Sequence, residues 1–200
     1  MRQRILNAAY SEFRRRGFSR VGVDEVAAAA KVTKRTLYYH FDSKDELLAE
    51  MLQAQHELVL KSLQELAEQY ADEPSVLIEK LFASLTAWST KPRWAGSGYT
   101  RVAMELADLP GHPARIVAKR HKAMLESYLA DLLARGGVAE APARAREVLM
   151  LLEGAMALIL IHGDPRYGEA AGHAALKLIA GARRPDAKAR RKPGRKASIV

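Results

Sequence analysis

None of the 200 residues is a cysteine. That excludes a disulfide framework and any thiolate metal site, and it fits a reducing cytoplasm. Proline and glycine are sparse, at 8 and 13 residues, so the chain is not a linker-rich or low-complexity one. Long apolar runs are missing too. The longest, Val148 to Ile161, is interrupted by Glu153 and falls short of the ~20 residues a membrane span needs. An amphipathic, charged segment without an apolar core follows Met1, so no secretory signal is visible. The expectation is a soluble chain with no membrane partner. There is no Gly-rich phosphate loop, nucleophile elbow or paired-carboxylate motif, and no period of 20–50 residues repeats. His112, His121, His162 and His173 lack the i, i+4 spacing of a helical metal site and are expected on the surface or at helix caps. Neither a metal, another cofactor nor an enzyme activity is expected.

What is present is hydrophobic content of 48%, enough for a substantial core, and a formal charge of +9. The charge is unevenly distributed. Residues 1–50 carry 10 Lys+Arg against 7 Asp+Glu, residues 51–182 carry 14 against 15, and residues 183–200 carry 8 against 1. A neutral body between basic ends suggests an anionic polymer touched by the ends alone. The alternative for the tail is a merely solvated, disordered end.

In the first fifty residues, Ile5, Leu6, Ala9 and Phe13 recur at helical spacing from Arg2 to Arg16. Gly17 suits the position after a helix, Phe18 its apolar closure, and Arg14, Arg15 and Arg16 the negative helix end. Steering of DNA is the other reading of those arginines. A second helix starts at Val23 with Gly22 as N-cap, Lys31-Val32 turn the chain, and Thr33 caps a third helix, where it is also expected to meet DNA. There Leu37 and Phe41, four apart, face inward. The outward face is Lys34, Arg35, Tyr38 and Tyr39, bordered by Thr36 and His40. Two tyrosines and a histidine beside Lys, Arg and Thr supply phosphate donors, base-edge donors and apolar contacts for thymine methyls. Such a face is chemically odd for a merely solvated surface, and the inward positions are already filled. It is expected to lie in the major groove of double-stranded DNA.

Ser43-Lys44-Asp45-Glu46 reads as a capping box opening a helix to about Ala71, roughly 40 Å long. Lys44, in its first turn, is placed to meet a phosphate with the helix's own N–H groups. Residues 5–48, from Ile5-Leu6-Asn7-Ala8-Ala9 through Gly17-Phe18 to Thr36-Leu37-Tyr38-Tyr39-His40-Phe41 and Ser43-Lys44-Asp45-Glu46-Leu47-Leu48, closely resemble the DNA-binding domain of TetR-family (tetracycline-repressor-like) regulators. The resemblance implies an all-α homodimer of the bacterial cytoplasm, with an N-terminal helix-turn-helix in residues 1–47 and a helical ligand-binding and dimerisation body in 48–182. Residues 183–200 form the basic tail. Three departures stand out. Gly22 occupies a place where the family usually has Ser or Thr, Lys31 one where Gly is usual, and no basic arm precedes the first helix. Lys31 is therefore expected to need a strained φ or a different turn.

In the body, helices are expected over Ser75–Ser89, Tyr99–Ala107, Pro113–Arg135, from Pro142 to His162, and from Asp164-Pro165 to about Ala180. The helix from Ala143 to His162 is apolar nearly all round after Leu149, so it must be covered on two sides. The resemblance supplies the cover, a four-helix bundle with a second subunit. Leu151, Leu152, Ala155, Met156 and Leu158, with Leu176 and Ile179, are the expected interface, and Gly154 would permit close approach. A small-molecule effector is expected among Trp88, Trp94, Tyr99, Met104, Met124, Tyr128 and Met150, which are also ordinary core types. Arg101, Glu105 and His121 rank below them. The functional expectation is a sequence-specific transcriptional regulator, a repressor released from a palindromic operator by its ligand. An activator of the same fold, a nonspecific DNA-compacting protein and a small-molecule hydrolase are the competing readings.

Overall fold

The punctuating residues set the helix boundaries. In this computed structural model, which describes residues 1–70 and 72–182, nine helices account for the described chain: α1 Arg2–Arg16, α2 Val23–Ala29, α3 Lys34–His40, α4 Lys44–Tyr70, α5 Pro74–Ser89, α6 Gly98–Glu105, α7 Pro113–Arg135, α8 Ala141–His162 and α9 Arg166–Ala180. The basic tail, residues 183–200, lies outside the described residues, as does any statement about Ala71.

Thr33 accepts the Thr36 N–H at 3.1 Å to open α3, and Ser43 accepts the Glu46 N–H at 3.0 Å to open α4. The reciprocal bond at α4 is displaced by one residue, since Glu46 accepts from the Asp42 N–H rather than that of Ser43. At α2 glycine has no side chain to contribute, but the Glu25 carboxylate still accepts the Gly22 N–H at 2.7 Å. The turn between α2 and α3 is a Schellman closure: the Val32 N–H reaches Ala27 O and the Lys31 N–H reaches Ala28 O, both at 3.0 Å. Lys31 carries φ 53° to make it. The expected strain is thus present, at a residue with a Cβ.

Two large cores and a small cluster of Ala67, Leu77 and Leu132 hold the helices together. The first gathers Ile5, Leu6, Val26, Leu37, Phe41 and Leu47 from α1–α4, together with Tyr99, Val102, Ala114 and Ala118 from α6 and the start of α7. The helix-turn-helix head therefore rests on the body through a shared apolar core, and the division expected at residue 47 falls inside α4. The second core joins α5, α7, α8 and α9 through Ile78, Phe82, Leu133, Val148, Ala175 and Ile179. Close approach is built in at α9, where a Cβ on Gly172 would stand 2.9 Å from Phe82 Cβ.

The structure corrects two expectations. Ala155 and Ile179, assigned to a subunit interface, are buried in the second core, Ile179 at 1% exposure. Leu151, Leu152, Met156 and Leu176 pack half-buried against the same core. Of the seven, Leu158 alone is exposed, in a stripe of α8 running Met150, Gly154, Ala157, Leu158, Ile161. The apolar surplus on α8 exists, but rotated from the residues first assigned to it. The second correction concerns His121, which is buried rather than superficial. Its Nδ1 lies 2.7 Å from Nδ1 of the buried His56, and its ring stacks on Tyr99 at 3.7 Å. His112 does cap α7, accepting the Ala114 N–H at 3.1 Å, while His162 and His173 are exposed.

Candidate nucleic-acid interface and internal cavity

α3 is held from below by Leu37 and Phe41, which have essentially no exposure, and this fixes which face points out. Tyr39 is 83% exposed and Tyr38 43%. Lys34 and Arg35 are exposed beside them, with Thr36 and His40 intermediate. The Tyr39 ring stands edge-on to His40 at 5.2 Å. Thr33, though exposed, spends its hydroxyl on the cap and on the Thr36 hydroxyl at 2.8 Å. The Lys34 ammonium pairs with Asp24 of α2 at 3.0 Å, which raises its pKa. An exposed pair of this kind is readily exchanged for a phosphate. Seven of the eight residues expected to meet DNA thus share one end of the head. Lys44 does not join them. Its ammonium lies over the Phe18 ring at 4.2 Å, and desolvation there lowers its pKa, against the nearby Asp45, Glu105 and Glu25 carboxylates.

Below the head lies a cavity of about 600 Å³, within the range typical of small-molecule sites. Its walls come from α4 (Leu52, Gln55, Leu63), α5 (Leu85, Trp88), α7 (His121, Lys122, Leu125) and α8 (Leu149, Glu153, Met156). The segment Gly96–Glu105 and, from the head itself, Tyr10, Phe13, Arg14 and Phe18 complete them. Of the pocket residues expected from sequence, Trp88 and Tyr99 line it, as do Arg101, Glu105 and His121. Met104, Met124 and Met150 are exposed instead, Tyr128 packs against the Ala67–Leu77–Leu132 cluster, and Trp94 sits edge-on behind Trp88 at 5.6 Å. Sequence reasoning missed Arg14, Gln55, Lys122 and Glu153. The available signal was charge in otherwise apolar helix stretches, as at Glu153 within Val148–Ile161.

Polar groups in the cavity are mostly spoken for. Lys122 is ion-paired with Glu153, which also accepts from the Thr100 hydroxyl. Tyr99 donates its hydroxyl to Leu52 O at 2.9 Å, and burial raises its pKa. Burial, followed by the neighbouring Lys122 and His56, pushes His121 down to about 3, so it is neutral at physiological pH. Two α6 side chains cross from the cavity to the head. Arg101 donates to Arg14 O at 2.9 Å, and Glu105 accepts the Ser19 N–H at 3.0 Å. Gly17, at φ 89°, admits that carboxylate, since a Cβ there would meet Glu105 Oε1 at 2.9 Å. The cavity floor and the head are therefore bonded through α6.

A helix-turn-helix head seated on an all-helical body is the architecture of a DNA-binding transcriptional regulator. Residues 5–51 match the family model described as bacterial regulatory proteins, tetR family. A putative TetR transcriptional regulator from Streptomyces avermitilis is 30% identical, with a TM-score of 0.76 over 90% of this chain and 97% of that one. A TetR-family regulator from Streptomyces coelicolor is 27% identical, with a TM-score of 0.82 over 90% and 95%. The chain belongs to the TetR family. Among curated relatives it is similar to the HTH-type transcriptional regulator AcrR of Shigella flexneri, 30% identical over 132 residues, and to the probable acrEF/envCD operon repressor of Escherichia coli, 32% over 98. These matches span 64% and 46% of this chain, and 59% and 42% of the relatives' lengths. Among the described residues no helix is long and apolar enough to cross a membrane, and no cluster of residues could hold a metal ion.

Proposed function

We propose that this protein is a sequence-specific transcriptional repressor that binds a palindromic operator as a homodimer and is released when a small molecule occupies its cavity. The observation that carries the reading is the outward face of α3. Lys34, Arg35, Thr36, Tyr38 and Tyr39 stand clear of a fully buried anchor, Leu37 and Phe41, at the place where the family carries its recognition helix. Phosphates are met by the cations and capping hydroxyls, base edges and thymine methyls by the tyrosines and threonine. The unpartnered stripe on α8 supports the dimer, because Met150 at 68% and Ile161 at 72% exposure are costly to leave in water. The relatives named as repressors support the direction of regulation. Release follows from the cavity's walls: a ligand touching α1, α4 and α6 together shifts the head on the body and with it the spacing of two recognition helices. A full switch from 1:99 to 99:1 needs about 5.5 kcal/mol of differential binding.

The test is substitution on the exposed face. Tyr39→Ala and Lys34→Ala should each abolish operator binding in an electrophoretic or fluorescence assay, while thermal stability stays within about 0.5 kcal/mol of the parent. A large loss of stability would mean that these side chains serve the core, and unaltered binding would remove α3 from the interface. The competing reading, DNA compaction by the basic tail, predicts that neither substitution matters.

A further inference from the structure

We propose that the cavity takes an amphipathic monocarboxylate, an apolar tail bearing one carboxylate that pairs with Arg14 on helix α1 of the DNA-binding head; this rests on the reading of the cavity as the effector site. Five charged side chains line the cavity: Arg14, Arg101 and Lys122 against Glu105 and Glu153. Both carboxylates are already engaged, Glu153 by Lys122 and Glu105 by Ser19. The facing histidine, His121, is neutral. One positive charge is left over, which a monoanion would neutralise.

That surplus can be located. Among the described residues neither Arg14 nor Arg101 is ion-paired. Arg101 is turned to the Arg14 carbonyl. Arg14 donates one N–H to the Tyr10 hydroxyl oxygen and lies over two aromatic rings, Tyr10 at 5.6 Å and Trp88 at 5.4 Å. Its Nε is buried and, among the described residues, has no hydrogen-bond partner. A guanidinium cannot shed its proton in a protein, and a buried donor of a charged group left unsatisfied is costly. A carboxylate presents two oxygens to the guanidinium fork, as a phosphate monoester does, and of the two it carries the single charge left to neutralise. The remaining walls are mainly leucine and methionine from α4, α5, α7 and α8, so the rest of the ligand is apolar. The position matters as much as the charge. Arg14 belongs to α1, so the ligand's carboxylate would grip the reading head itself and not only the body.

Three single-chain probes of equal length decide the question: decanoate, 1-decanol and decyltrimethylammonium, each titrated below its aggregation concentration into the full chain. The chain's two tryptophans, Trp88 on the cavity wall and Trp94 against it, report occupancy by fluorescence. Decanoate should bind at least tenfold more tightly than decanol, with the cation weakest. Arg14→Gln should lower decanoate affinity about tenfold or more, to the level of decanol, and leave decanol itself within about twofold. Retained decanol binding certifies that the variant is folded. Arg14→Lys should restore part of the preference. Should Arg14→Gln fail to fold, the ranking of the three probes by the unaltered protein still decides. Equal binding of acid and alcohol, tighter binding of the cation, or undiminished decanoate binding by Arg14→Gln would each overturn the carboxylate while leaving the effector site standing. If none of the three binds saturably, the effector site falls, and the carboxylate with it.

Discussion

Ile161→Lys should turn a dimer into a monomer, and the size of the effect can be worked from the exposed stripe of α8. Fully burying a large aliphatic side chain stabilises by about 1.5–3 kcal/mol. Ile161 is 72% exposed in the single chain, so covering it is worth roughly 1–2 kcal/mol at the same rate. A twofold interface uses the same patch on both subunits, which doubles the loss to roughly 2–4 kcal/mol per dimer. That corresponds to a 30- to 1,000-fold weaker association on the scale of about 1.4 kcal/mol per tenfold. An ammonium buried without a partner adds to this, so a weakening of at least about a hundredfold is expected. Sedimentation velocity over a concentration series measures it directly. The control is Ile116→Lys on α7. Ile116 is also half-exposed but stands off the α8 stripe, and its substitution should leave association unchanged. Should Ile161→Lys associate as the parent does while Ile116→Lys does not, the dimer uses another face and the α8 stripe is not its interface. A parent that stays monomeric at every concentration would refute it more simply.

Two further outcomes follow from backbone strain and from burial. Lys31→Gly should stabilise the protein by about 0.5–1 kcal/mol in denaturant titration: a left-handed residue with a Cβ costs roughly 1–2 kcal/mol, and the larger unfolded-state entropy of glycine returns about 0.4–1. A destabilised variant would mean that φ 53° is not a burden to this turn. His121 makes stability depend on pH. Its folded value of about 3 lies below the ordinary 6.5, so the unfolded chain binds the extra proton first as pH falls. The contribution is complete above pH ~6.5 and is lost toward pH ~3, at up to about 1.4 kcal/mol per pH unit. Unfolding free energies at stepped pH should show this slope, and His121→Phe should flatten it.

Much of the fold was legible because polar and special residues mark the helix ends. Gly17, Thr33, Ser43, Pro113, Gly136 and Gly163 each sit where a cap or a break requires them, and the observed helices begin and end within a residue or two of the expected places. The outward face of α3 was legible for a similar reason: with Leu37 and Phe41 turned in, a seven-residue helix has little freedom left. The phase of α8 was not. A helix apolar on all sides has no periodicity to say which side meets its own core, and of the α8 residues assigned outward all but Leu158 pack against that core, Ala155 among them. The cavity was less legible still, because its walls are assembled from separate helices and the head. Arg14 shows why: within its own helix it is one of three arginines suited to a negative end, and only the packing of α1 against Trp88 and Tyr99's neighbourhood reveals that it points inward. His56 and His121, 65 positions apart in the chain, are joined only by the packing of α4 on α7.

Selection of DNA from a random library by the full chain, followed by affinity measurement at matched salt, separates recognition of a palindromic operator from nonspecific binding. A twofold-symmetric site should emerge, its half-sites about 10–10.5 base pairs apart, one helical turn or 34–36 Å, and bind at least about a thousandfold more tightly than random sequence. An affinity ratio near one, with no symmetric site recovered, would contradict operator recognition.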